Sequence, residues 1–221
     1  MTFGVKPGPV SLRPRLGTPL PAAFFRRPAL ALAPDLLGLV LVHACQDGVA
    51  AGRIVEVEAY CGPEDLAAHS AGGRRTARNE VMYGPAGRAY VYFIYGMHWC
   101  VNVVAAERDV PEALLIRALE PMHGLELMRA RRGTHAGDPA LARGPGNLTR
   151  ALGIDRTANG SDLRAGALHL LRPPRGRGLP ERTEIVRSPR IGVDYAGDWA
   201  TRPWRFSLRG NASVSRPPRS G

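Results

Sequence analysis

Apolar and polar positions alternate most clearly in LVLVHACQDGVAAGRIVEVEAY, residues 39–60. Two apolar runs are split by Gln46-Asp47-Gly48, which predicts a strand, a tight turn and a second strand. In the second run Val55, Val57 and Ala59 take one face and pack inward. Ile54, Glu56, Glu58 and Tyr60 take the other, so two carboxylates and a phenol share a strand face. YVYFIYGMHWCVNV, residues 90–103, has the same two-residue period. Tyr90, Tyr92 and Ile94 fall on one face and Val91, Phe93 and Tyr95 on the other, with Tyr95-Gly96-Met97-His98 as a hairpin tip. EALLIRALEP, residues 112–121, is a further strand, and SPRIGVDYAGDWATRPWRFSLRG, residues 188–210, supplies the last short strand or two. Helical spacing comes in shorter pieces. Residues 24–37 predict a helix with Pro28 near its start and Pro34 ending or kinking it. HGLELMRARRG places Leu125 and Met128 on one helical face, and GPGNLTRALGI opens on Gly-Pro and closes on Gly153. The sum is an α+β chain: one mostly antiparallel sheet with helices packed on it.

Residues 1–20 and 213–221 are rich in Pro, Gly and Arg without periodicity, so they read as a flexible basic arm and a flexible tail around one domain, 21–212. Residues 172–183, RPPRGRGLPERT, read as a surface loop. A length of 221 residues suits one domain.

Charge narrows the partners. The formal net charge is +11, which favours an anionic partner, nucleic acid before an anionic membrane. The bland alternative is a GC-rich genome that inflates Arg, because Lys6 is the only lysine. Cys45, Cys61 and Cys100 are odd in number and form no CxxC, which argues against a zinc site or disulfide framework and favours a reducing cytoplasm. The first residues hold no apolar signal-peptide core, and no apolar run reaches bilayer length, so no membrane is expected.

The candidate chemistry starts at Glu56 and Glu58. Two residues apart on a strand, they lie roughly 6.6–7 Å apart, within the range of inverting glycosidases. Their side chains run parallel, however, and cannot flank a bond from opposite sides. One carboxylate acting alone as a general base is the better reading, with the other structural, although an exposed sheet face would look similar. CGPEDLAAHS adds His69 close by. GGRRTARN lacks the Gly-Lys-[Ser/Thr] of a nucleotide-binding loop and instead offers arginines to backbone phosphates.

RIVEVEAYCGPEDLAAHS, then RN with MYGPAGRAYVYFIYGMHWCVNVV, LLIRALEP, GPGNL and RIGV with DYAGDW together resemble the alkyladenine (3-methyladenine) DNA glycosylase family, also called methylpurine-DNA glycosylase. The blocks run in the family's order from about Phe24 to Gly210. The resemblance implies a single curved antiparallel sheet with a protruding β-hairpin, and an enzyme that flips damaged purines out of duplex DNA and hydrolyses the N-glycosidic bond in base excision repair. It makes Glu58 the general base that activates water. Arg117 and the backbone of Ile191 would hold that water. Tyr60, His69 and Tyr92 would stack around the base, and Asn102 would crowd the amino group of normal guanine. Tyr95, with Met97 beside it, would fill the gap in the duplex. No metal or other cofactor is implied, and the expected partner is double-stranded DNA, bound by a monomer in the cytoplasm at the nucleoid. Two departures stand out: Trp99 follows His98, and Asn147 replaces a common Lys, which weakens one phosphate contact.

The physics is consistent with this. Flipping costs a few kcal/mol, and stacking returns about 1–3 kcal/mol per base. A lyase needs an amine for a Schiff base, and Lys6 lies in the arm, so the expected enzyme is monofunctional. Two other classes compete: a non-catalytic nucleic-acid-binding module built on charge and rings, and a sugar O-glycosidase built on Glu56 and Glu58.

Overall fold

The computed structural model describes residues 16–135, 137–174 and 179–216. Its strands form one antiparallel sheet: β1 (Thr18–Pro19), β2 (Val40–Cys45), β3 (Gly48–Cys61), β4 (Ala89–Ile94), β5 (His98–Ala105), β6 (Glu112–His123), β7 (Leu168–Arg172), β8 (Ile185–Ser188) and β9 (Arg205–Leu208). The order is β1-β7-β2-β3-β6-β5-β4, with β9 paired to β3 and β8 to β9. The helices are α1 (Ala22–Phe25), α2 (Ala29–Leu36), α3 (Leu125–Arg132), α4 (Asp138–Leu141), α5 (Pro145–Leu152) and α6 (Asp198–Thr201). The fold is thus the α+β arrangement that the alternation predicts, with a curved antiparallel sheet and packed helices.

β3 is the central strand. β6 runs along one edge, while β2 covers the first half of the other edge and β9 the second. Consecutive residues Ile54 to Ala59 are all buried, so β3 is covered on both faces, unlike an ordinary half-exposed strand. The β3–β6 register shifts between Ala51 and Gly52 and again around Glu56. The ladder pairs Ile54 with Leu119, Glu56 with Ala118 and Val57 with Ile116, which skips Val55 on β3 and Arg117 on β6. Such bulges re-aim side chains. Ile54 therefore joins Val55, Val57 and Ala59 in the core and does not share the face of Glu56 and Glu58.

Helix α2 begins after Pro28 and contains Pro34 rather than ending there, its apolar side buried through Leu32, Ala33 and Leu36. Both terminal boundaries shift outward. Thr18 and Pro19, inside the span read as an arm, pair with Arg172 and Leu171. Val214, inside the span read as a tail, is buried in the core, and the Ser215 N–H donates to Glu56. Residues 1–15 and 217–221, and 175–178 within the loop at 172–183, lie outside the described residues. The strand at Leu168–Arg172 carries no alternating signal because four of its five residues are buried against both neighbours.

Candidate active site

β4 and β5 form a hairpin that ends in a tight turn. The Met97 N–H donates to the Ile94 carbonyl at 3.2 Å, and Tyr95 and Gly96 both sit in the left-handed region, at φ 54° and 64°. That is the hairpin turn whose twist matches its strands. Glycine adopts it freely, but a tyrosine there carries about 1–2 kcal/mol of strain. The turn leaves Tyr95 77% and Met97 66% exposed. The hairpin leans on α5, where a Cβ on Gly146 would come within 2.8 Å of the His98 ring and Thr149 donates to the Trp99 carbonyl at 2.9 Å. Trp99 packs against Phe93 on the outer face of the hairpin, with ring centroids 4.8 Å apart.

The inner face of the hairpin borders a cavity of about 340 Å³. Tyr90, Tyr92 and Asn102 from the hairpin, Tyr60 from β3, His69 from the segment after β3, and Leu115 and Arg117 from β6 line it, as do Ile191 to Val193. Tyr95 stands at its edge. His69 meets Tyr92 edge-on at 4.6 Å between centroids, and Tyr90 lies 5.2 Å from Tyr92. The His69 ring shares a 2.8 Å hydrogen bond with the Tyr90 hydroxyl. Burial, with Arg78 and Arg74 nearby, pulls His69 down to about 4, so the imidazole is neutral at physiological pH. Burial raises the phenols too: Tyr90 to about 12, Tyr60 and Tyr92 well above their ordinary value. The cavity wall thus presents uncharged, electron-rich rings. Asn102 donates to the Tyr90 carbonyl at 3.0 Å, which fixes its amide across the hairpin.

Glu58 lies behind this wall, fully buried. Three wall residues donate to it: Tyr60 at 3.0 Å and Arg117 at 3.1 Å to Oε2, and the Ile191 N–H at 2.7 Å to Oε1. Glu56 has a different environment. It accepts from Arg205 at 2.8 Å and from the Ser215 N–H at 2.7 Å and lies 3.5 Å from Arg117. Arg205 and Ser215 do not line the cavity, whereas all three donors to Glu58 do.

Sequence reasoning missed three contributors. Tyr90 falls on the correct strand face, yet only the fold reveals its bond to His69. Asp65 and Arg190 form a fully buried pair at 2.6 and 2.8 Å that anchors the segment entering Ile191. Arg78 lies 5.2 Å from the centre of the Tyr92 ring and donates to the Phe93 carbonyl. Among the described residues no group of three or more His, Cys, Asp or Glu could hold a metal ion.

A family model described as methylpurine-DNA glycosylase matches residues 23–212. A protein of Methanoculleus marisnigri named "Putative 3-methyladenine DNA glycosylase" is 53% identical over 199 residues, covering 89% of this chain and 98% of its own. Proteins with the same name from Bacillus cereus (strain G9842) and Clostridium acetobutylicum are 45% identical over 201 residues and 44% identical over 199. The first pair covers 89% of this chain and 98% of the relative, the second 87% and 95%.

Proposed function

This chain belongs to the methylpurine-DNA glycosylase family, and on that premise we propose that it is a monofunctional glycosylase. It flips alkylated purines of the 3-methyladenine class out of duplex DNA and hydrolyses their N-glycosidic bond. The observation that carries the reading is the buried Glu58 carboxylate, held by Tyr60, Arg117 and the Ile191 amide against a cavity of uncharged rings.

The flipped base enters between Tyr60, His69 and Tyr92, with Asn102 at its edge. N-alkylated purines carry positive charge, and a ring face attracts a desolvated cation by about 0.5–2 kcal/mol. A neutral His69 adds no repulsion. The attacking water displaces the direct bond from the Ile191 N–H to Glu58; it then donates to Oε1 and accepts from that N–H, with Arg117 holding the other carboxylate oxygen. As water attacks C1′ of the deoxyribose, Glu58 takes its proton. The C1′–N bond breaks, its electron pair leaves with the base, and an abasic site remains. The cationic purine departs neutral and needs no proton from the protein. Tyr95 fills the vacated place in the stack beside Met97, and arginines such as Arg74 and Arg78 face the phosphates.

The test is single-turnover base release from duplex DNA carrying methylated purines, with wild type and Glu58→Gln side by side. General-base loss predicts a fall of about 10²–10⁴, with binding to an abasic-analogue duplex kept within a few fold. Release by the variant at the wild-type rate would remove Glu58 from the chemistry. A borohydride-trapped adduct would overturn the monofunctional assignment.

A further inference from the structure

Among the described phenylalanine, tyrosine and tryptophan residues, the two most exposed are Tyr95, at 77%, and Tyr195, at 75%. Both border the same cavity. Tyr95 has a place in the proposed reaction, whereas Tyr195 does not. It stands four residues after Ile191, on a 3₁₀ turn (Asp194–Ala196).

That turn is firmly seated. Val193 and Ala196 are buried with Ala67, and the Ala196 N–H donates to the Val193 carbonyl at 2.9 Å. Arg190, at the entry to the segment, is locked to Asp65. The Tyr195 hydroxyl reaches the Ala67 carbonyl at 3.4 Å. Leu66, the residue before Ala67, is itself 54% exposed. Exposed apolar surface therefore lies next to the residue that Tyr195 contacts.

A large exposed ring on a rigid support costs little entropy to place against a ligand, since tyrosine has only two side-chain torsions. Its position limits what it can touch. The base goes inward, past Tyr60 and Tyr92, and the sugar stays at the mouth, beside the wall that carries the Ile191 amide. A ring face on the rim there meets the C–H edge of a deoxyribose. We propose, building on the glycosylase reading above, that Tyr195 is a positioning residue that packs against the deoxyribose of the flipped nucleotide and holds C1′ towards the Ile191–Glu58 wall. Tyr95 and Tyr195 then act as two jaws, one filling the duplex and one pressing the sugar.

The test uses the full chain, Tyr195→Ala and Tyr195→Phe, and two duplexes, one undamaged and one with a tetrahydrofuran abasic sugar. Loss of an aromatic contact predicts that Tyr195→Ala binds the tetrahydrofuran duplex about tenfold more weakly. Binding to the undamaged duplex should change less than twofold, and the thermal midpoint should hold. Single-turnover release at saturating enzyme should fall by a similar factor. Tyr195→Phe, which keeps the ring face, should restore both. Equal weakening on the two duplexes would make Tyr195 a general DNA contact and overturn the proposal, as would no weakening on either. Failure to restore with Phe would overturn the ring contact. A wild type that releases no methylated base would sink the glycosylase reading as well, whereas normal release by wild type and Tyr195→Ala alike would sink this proposal alone.

Discussion

The Asp65–Arg190 pair supports both the fold and the site, and its loss can be worked through. Arg190 donates to both Asp65 oxygens, to the Ala59 carbonyl at 2.9 Å and to the Trp199 carbonyl at 3.1 Å. Its guanidinium also lies 4.8 Å from the centre of the Tyr60 ring and 5.1 Å from that of Trp204. Both charged side chains are fully buried. Arg190→Met keeps the stem and removes every one of these donors. Asp65 is then a buried charge with two remaining donors, the Cys61 N–H at 3.1 Å and the Ala67 N–H at 3.0 Å. Breaking one side of such a pair costs about 3–5 kcal/mol, and the two amides keep the expected loss at the lower end, near 3 kcal/mol. A domain of this kind has about 5–15 kcal/mol in total, so the variant folds but with a clearly lower urea midpoint. Asp65→Asn removes the stranded charge, so Arg190→Met should cost less in that background, with a coupling of about 1–2 kcal/mol. Because Arg190 precedes Ile191, base release measured in the cold should also drop, about tenfold by the sensitivity of catalysis to small misplacements. A cost below about 1 kcal/mol, or additive single variants, would refute the claim that this pair holds the wall of the site.

Two further predictions concern the hairpin and the imidazole. Tyr95→Asn places a residue that tolerates the left-handed region at the turn, so it should raise stability by about 0.5–1 kcal/mol in urea unfolding while lowering base release at least tenfold. A lower stability would mean that the turn carries no strain. His69 is held near 4 when folded, against 6.5 for the free group. Between those values the unfolded chain binds a proton that the folded one does not. Stability should therefore fall as pH drops from about 6.5 to about 4, by on the order of 3 kcal/mol, and this part of the slope should vanish in His69→Gln. Equal slopes for the two proteins would show that His69 is not buried in its neutral form.

The sequence by itself determined the local elements and the residue types they present. Alternation is a property of a few consecutive residues, so the turn after Cys45, the tyrosine face of the hairpin and the joint placement of Glu56 and Glu58 could all be read directly. The family blocks extended that reading to Arg117 and Ile191. Alternation cannot show where a neighbouring strand slips. The paired bulges that skip Val55 and Arg117 depend on how β3 and β6 fit together, and they moved Ile54 into the core. Nor could alternation separate the two glutamates; only the family resemblance singled out Glu58. In the fold Arg205 and Ser215, 149 and 159 residues away, reach Glu56. Tyr60, Arg117 and Ile191, the last of them 133 residues away, gathered on Glu58 and set it against the cavity. A buried carboxylate takes its function from the donors that reach it, and those donors meet only when the sheet has closed around β3.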